Sequence, residues 1–200
     1  ALAFSIHSAD APPKWKKLNP QTPAGFTLKT IEVEKHPEHN VELYVYVPDA
    51  EGTWPCILDI HGGGWKARQV EADKPMMERL AQRGFVTALV SYRLSTEAKY
   101  PAAIHDCKAA IRWIRAHAKK YNLDPDKIAV MGSSAGGHLS SLLGTSGDVK
   151  ELEGDLGPHT SFSSRVQCVV NLCGPEDFTK ALMFDPEGKP ILKDDAVIGL

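Results

Sequence analysis

Val41, Leu43, Val45 and Val47 alternate with Glu42, Tyr44 and Tyr46, the period of two expected of a strand with one buried face. The preceding "FTLKTIEVEK" reads as another strand, and "HPEHN" between the two as the connection of an antiparallel pair. "CILDI" is a short unbroken apolar run, as in a strand covered on both faces, and it leads straight into "HGGGW". Beyond that point strand-like and helix-like segments alternate. "KPMMERLAQRG" predicts a short helix stopped by Gly84, "FVTALVSY" a buried strand, and "PAAIHDCKAAIRWIRAHAKKYN" a long helix opened by Pro101.

In the long helix Ile104, Cys107, Ile111, Ile114, Ala118 and Tyr121 recur at three- and four-residue steps, a single apolar stripe that must pack on a sheet. "DPDK" then turns the chain into the strand "IAVMG", the helix "SSAGGHLSSLLG" and, after a polar loop, the strand "RVQCVVNLCG". Such alternation predicts an α/β fold: a mostly parallel sheet with an N-terminal antiparallel pair and helices on both faces. Residues 26–200 read as its core, and 1–25 as an extended Pro-rich leader.

At 200 residues the chain suits one domain. A net charge of -2, with acids and bases interspersed, leaves no face built to neutralise phosphates, so no nucleic acid partner is expected. No apolar run approaches the ~18 residues of a membrane span. Cys56, Cys107, Cys168 and Cys173 sit inside apolar runs and read as small core residues, not as a disulfide framework or a ligand set; no metal is expected. "ADA" at Ala9–Ala11 has the form of a signal-peptidase site, which favours a secreted or periplasmic protein over a cytoplasmic one with a frayed terminus.

Gly132-Ser133-Ser134-Ala135-Gly136 is a G-x-S-x-G between a predicted strand and a predicted helix. A strand reversing sharply into a helix strains its apex residue, and small neighbours avoid clashes with adjacent strands. Ser134 would project its hydroxyl from the sheet's carboxyl edge, at a helix N-terminus whose free N–H groups favour negative charge. Attack by such a hydroxyl on an ester carbonyl creates an oxyanion, which requires N–H donors aimed at a point occupied only in the transition state. Bare backbone in "HGGGW" meets that need: the N–H groups of Gly63, Gly64 and Ala135 are the expected oxyanion hole, and a side chain at Gly63 or Gly64 would obstruct the substrate. Each donor is worth about 3 kcal/mol in the barrier, against about 1 kcal/mol of local stability lost per glycine. Alternatively the glycines form a loop without function and Ser134 is a helix cap; the joint occurrence of both motifs, each after its own strand, argues against that.

"DIHGGGW", "SYRL", the segment "PAAIHDCKAAIRWIRAHAKKYNLDPDKIAVMGSSAGGHLSSLLG" and "VVNLCGPEDF" resemble the α/β-hydrolase superfamily, close to hormone-sensitive-lipase-like and BD-FAE-type carboxylesterases. The similarity runs from about residue 26 to the end of the chain. It implies a serine carboxylesterase without cofactor, Ser134 its nucleophile, and Gly63, Gly64 and Ala135 its oxyanion hole. Many hormone-sensitive-lipase relatives have Asp where this chain has Ser133, which tilts the resemblance to the BD-FAE-like branch.

In that family an acid and then a histidine follow the serine on later loops. After Ser134 only His138 and His159 are available, the first a packing residue in the nucleophile's own helix, the second in a polar loop. Asp148, Asp155, Asp177, Asp185, Asp194 and Asp195 likewise come too early, so the triad acid and base are expected beyond Leu200, "DDAVIGL" reads as a helix cut mid-course, and the chain alone is expected to be nearly inactive. His61 is expected to brace the glycine loop. Trp65 and Tyr92 either line the acyl or alcohol pocket or are plain core. Asp106 either anchors a neighbouring loop or is a solvated helix residue. The expected substrate is a small ester, with short acyl groups, carried on carbohydrate, favoured over long lipid chains. An amidase or peptidase of the same superfamily, or a binding protein on the same scaffold, are the alternatives.

Overall fold

The computed structural model describes residues 25–34, 40–178 and 187. The Pro-rich leader, most of "HPEHN" and the terminal "DDAVIGL" lie outside the described residues. Among the described residues six strands form one sheet in the order β1-β2-β4-β3-β5-β6. β1 (Phe26–Glu34) and β2 (Val41–Pro48) pair antiparallel, and β2 pairs antiparallel with β4 (Val86–Ser91). β3 (Trp54–Ile60) runs parallel to β4 and to β5 (Leu123–Ser133), and β6 (Cys168–Leu172) runs parallel to β5.

Alternation along the central strands divides the core between the two sheet faces. On one face α1 (Val70–Ala81) lays Val70, Met77 and Ala81 against Tyr46, Leu89 and Met131. On the other, α2 (Ala102–Ala116) and α3 (Ala135–Thr145) pack on Leu43, Leu58, Ile60, Val90 and Val130. The predicted stripe of the long helix is buried at every position, from Ile104 to Tyr121. Among the described residues no helix is long and apolar enough to cross a membrane.

Element ends depart from expectation for local reasons. α1 starts at Val70, four residues before the predicted Lys74; this buries Val70 and leaves Pro75 inside the helix, where its missing N–H forgoes a helical hydrogen bond. α2 ends at Ala116, not at Asn122: the His117 ring sits 2.8 Å from the Trp113 carbonyl, and Asn122, at φ 53°, turns the chain so that its carbonyl accepts from Trp54 N–H at 2.8 Å. Cys56 and Cys107 are core residues, but Cys168 and Cys173 are exposed, which corrects the expectation for those two. Cys168 opens β6 and Cys173 follows it; β6 is an edge strand among the described residues and also exposes Val169, Val170 and Leu172.

The polar loop between α3 and β6 is anchored by charge. Lys108 and Arg112 are both buried, and Lys108 Nζ donates to Glu153 Oε1 and to the Ser146 carbonyl, each at 2.7 Å. Arg112 donates to the carbonyls of Glu153 and Leu156 at 2.7 and 3.2 Å. The charged side chains of α2 are thus turned inward, Lys108 Nζ and the two Nη atoms of Arg112 each bonded to the loop that covers them.

Candidate active site

At the end of β5 the chain reverses into α3 through Ser134, which stands at φ 54°, ψ -118°, a conformation strained for any residue with a Cβ. Neighbouring glycines make the reversal possible. A Cβ on Gly132 would lie 2.4 Å from the Gly136 carbonyl oxygen and 2.6 Å from that of Ile60. The elbow therefore rests directly on the end of β3, and Ser134 N–H donates to the Leu172 carbonyl at 2.9 Å, which ties it to β6 as well. Ser134 occupies the N-cap position of α3, yet its side chain makes no capping hydrogen bond, and the residue is exposed. The helix-cap alternative for this serine is thereby set aside.

β3 delivers the glycine loop to the same place. A Cβ on Gly62 would lie 2.9 Å from the Ser133 carbonyl oxygen and 3.6 Å from Ser134 Cβ, so the loop and the elbow are in contact. The sequence points to Gly63 and Gly64 and gives no sign that Gly62 is the glycine facing the elbow. The reason expected for Gly63 also needs correction. At φ 109° a Cβ there would lie 2.1 Å from the loop's own Ala67 carbonyl oxygen, because the loop closes on itself through Lys66 N–H and Ala67 N–H donating to the Gly63 carbonyl. Gly64, at φ 58°, faces open space: a methyl group there would have no atom within 4 Å.

The loop is braced from behind. His61 is buried and stacks on Tyr92 with ring centroids 4.3 Å apart, its Nδ1 2.7 Å from the Gly62 carbonyl oxygen. Tyr92 is fully buried and its hydroxyl donates to the His61 carbonyl at 3.1 Å. Tyr92 is consequently a brace and not a pocket wall, which corrects one of the two readings left open for it; burial pushes its phenol well above the usual range. Ser95 N–H donates to the Trp65 carbonyl at 2.8 Å, and Arg68 Nη2 donates to both oxygens of Glu97 at 2.8 Å, an ion pair joining the loop to the segment after β4. That segment is held in turn by α2: Asp106 is buried and accepts from Arg93 N–H and Arg93 Nη2, each at 2.8 Å, and so is an anchor and not a solvated residue. Nothing in the sequence marks Arg68 and Glu97 as partners across the 29 residues that separate them.

Trp65, at φ 58°, meets His138 edge-on at 5.5 Å, and Phe178 closes the group at 4.9 Å from His138 and 5.9 Å from Trp65. Burial holds the His138 imidazole below the usual histidine range, against the opposing charge of Glu176. His138 is thus packed one turn into α3, with its backbone N–H donating to the Ser134 carbonyl at 3.1 Å. His159 stands edge-on to His117 at 5.0 Å, at the C-terminal end of α2. Asp148 pairs with Arg165; Asp185, Asp194 and Asp195 lie outside the described residues.

Sheet order, serine elbow and the glycine loop against it define an α/β-hydrolase carrying the frame of a carboxylesterase. The chain belongs to the BD-FAE family, whose family model matches residues 43–198. Over 134 residues it is 38% identical to LipM of Mycobacterium tuberculosis, a probable carboxylic ester hydrolase, covering 66% of this chain and 30% of the relative. A solved structure of a bifunctional GH43-CE protein of Bacteroides eggerthii superposes with a TM-score of 0.73 at 34% identity, covering 86% of this chain and 26% of that one. The truncated form of a carbohydrate esterase from gut microbiota gives a TM-score of 0.68 at 31% identity, covering 85% and 62%. The chain thus spans less than two thirds of the length of each of these relatives.

Proposed function

We propose that the protein containing this chain is a carboxylic ester hydrolase that works through an acyl-enzyme on Ser134. One observation carries the reading: an exposed serine held at a strained elbow, free of any capping role, with a glycine loop packed against it. Strain of this kind persists only where the surroundings over-determine it, and here the surroundings are backbone: Ile60, Gly136 and Leu172. Ser134 Oγ attacks the ester carbonyl, its proton passing to a histidine base as the C–O bond forms. Collapse of the tetrahedral intermediate expels the alcohol, which takes that proton, and water then releases the acid by the same path. Donors for the oxyanion are the N–H groups of Gly63, Gly64 and Ala135, the last at the start of α3 where the helix dipole favours negative charge.

The histidine base and the acid that orients it are supplied, in this proposal, by chain following Leu200. The substrate is a short acyl ester on a carbohydrate, a reading supported by the two carbohydrate-esterase-type neighbours. In the wall beside the serine, Trp65 faces His138 and Phe178 and lines the acyl or alcohol site. The sequence signature around Ala9–Ala11 favours export of the protein.

Hydrolysis of p-nitrophenyl acetate and of an acetylated xylo-oligosaccharide by the longer protein, beside a formyl-amide, tests this. Ester turnover that disappears in Ser134→Ala is expected. Unchanged turnover in that variant, or cleavage of the amide alone, overturns the reading.

A further inference from the structure

The segment "VVNLCGPEDF" resembles carboxylesterases, yet the proposed chemistry gives its asparagine no role. Asn171 stands in β6 beside Gly132 of the elbow strand, one residue before the Leu172 carbonyl that accepts from Ser134 N–H. Its carboxamide reaches over the first turn of α3. A Cβ on Gly137 would lie 2.5 Å from Asn171 Oδ1, which is why the second glycine of "AGGH" carries no side chain.

The hydrogen bonds of that carboxamide tie α3 to the turn after β6. Oδ1 accepts from Gly174 N–H at 2.6 Å, while Nδ2 donates to Ser141 Oγ on α3 at 3.0 Å and to Glu176 Oε1. A backbone N–H only donates and a carboxylate only accepts, so a side chain that serves both here must be an amide in this orientation. The turn needs such a hold. Cys173 stands at φ 52°, a left-handed conformation costly for a residue with a Cβ. Two bonds bracket it: Ser134 N–H to the Leu172 carbonyl on one side, and Gly174 N–H to Asn171 Oδ1 on the other. A Cβ on Gly174 would lie 2.3 Å from His138 N, so the turn rests on α3 backbone to backbone. Further along, Phe178 closes on His138 and Trp65 at 4.9 and 5.9 Å.

We propose that Asn171 is a positioning residue for the ester site: its amide clamps the 172–178 turn to α3 and so holds Phe178 in the wall that Trp65 and His138 form beside Ser134. The wall then sets how large a group the site admits. That it borders an ester site rests on the ester-hydrolase reading; the clamp does not.

In the longer protein, Asn171→Asp keeps the acceptor for Gly174 N–H, loses the donors and sets a second carboxylate against Glu176. Combining it with Glu176→Gln reverses the pair, since the Gln amide donates to the new carboxylate and the Ser141 hydroxyl turns to do the same. At neutral pH, amide hydrogen exchange of the 172–178 segment is expected to quicken about tenfold in the single variant and to return to within about twofold of wild type in the double one. The ratio of kcat/KM for p-nitrophenyl acetate over p-nitrophenyl octanoate is expected to fall about tenfold in the single variant and to recover in the double one. On a Phe178→Ala background, where the wall is already open, Asn171→Asp is expected to leave that ratio unchanged. Exchange unaltered by Asn171→Asp, or a loss that Glu176→Gln does not reverse, overturns the clamp. A full further drop in the ratio on the Phe178→Ala background overturns action through Phe178. Should Asn171→Asp fail to fold, Glu176→Ala at an exposed position removes one bond of the clamp, and exchange of the segment decides on the same terms. Quickened exchange in a protein without ester turnover removes the hydrolase reading and leaves the clamp; ester turnover with exchange unmoved does the reverse.

Discussion

A methyl group on Gly136 would stand 1.7 Å from the carbonyl oxygen of Ile60, so the first turn of α3 and the last residue of β3 meet backbone to backbone. No rotation of a side chain relieves that contact. Gly136→Ala is expected to cost more than about 3 kcal/mol, above the usual range for overpacking, because main chain must move. Gly64→Ala, whose methyl meets nothing within 4 Å and whose φ of 58° is a left-handed one, is expected to cost about 1–2 kcal/mol. Urea unfolding of the two variants ranks them, and the reverse order would refute this account of the glycines.

Ser134 carries backbone strain that a glycine would not feel. Strain of this class costs about 1–3 kcal/mol and the added chain entropy of glycine about 0.5–1 kcal/mol, so Ser134→Gly is expected to raise stability by about 1 kcal/mol. Ester turnover in the longer protein should vanish in the same variant. Calorimetry and an activity assay on one preparation check both halves.

Arg68 and Glu97 join the glycine loop to the segment behind it through two hydrogen bonds of 2.8 Å. Arg68→Gln is expected to lower kcat about tenfold with little change in KM, because donors held out of line affect the transition state more than substrate binding. Arg68→Lys should recover part of the loss, since an ammonium can face both Glu97 oxygens from one nitrogen as Nη2 does.

Asp59 binds its proton more tightly in the folded chain, at about 8, than at the ordinary 3.8, so between these values the folded state holds more protons than the unfolded one. The stability it contributes is complete below about pH 4, declines as pH rises to about 8 and is level beyond. The stability of Asp59→Asn minus that of wild type is therefore expected to grow over this window and then flatten. Parallel pH profiles by thermal unfolding would refute it.

Burial pushes the Cys56 thiol up to about 12 and Cys107 well above its usual range, whereas Cys168 and Cys173 are exposed. A chromogenic disulfide reagent is expected to titrate two thiols in the native chain and all four after denaturation.

Much of this architecture is legible in the sequence because it depends on neighbours along the chain. Alternation of Val41 to Val47 marks β2, and the stripe from Ile104 to Tyr121 marks the buried side of α2. The glycine pattern around Ser134 marks a turn that only small residues permit, and the contacts of Gly132 and Gly136 supply the reason. Lys108 and Arg112 defeat the same reasoning. Their charge places them on the solvent side of α2, but a loop 38 to 45 residues away supplies the carbonyls and the carboxylate that allow their burial.

By itself, then, the order of residues determined the strand and helix pattern, the position of the elbow and the family to which the chain belongs, since each is written in spacing over a few residues. Tertiary structure alone decided which glycine touches the elbow, that Tyr92 braces where it was free to line a pocket, and that Arg68 meets Glu97. The physical reason is that a hydrogen bond depends on where two atoms come to lie within about 3 Å, and sequence separation carries no trace of that distance.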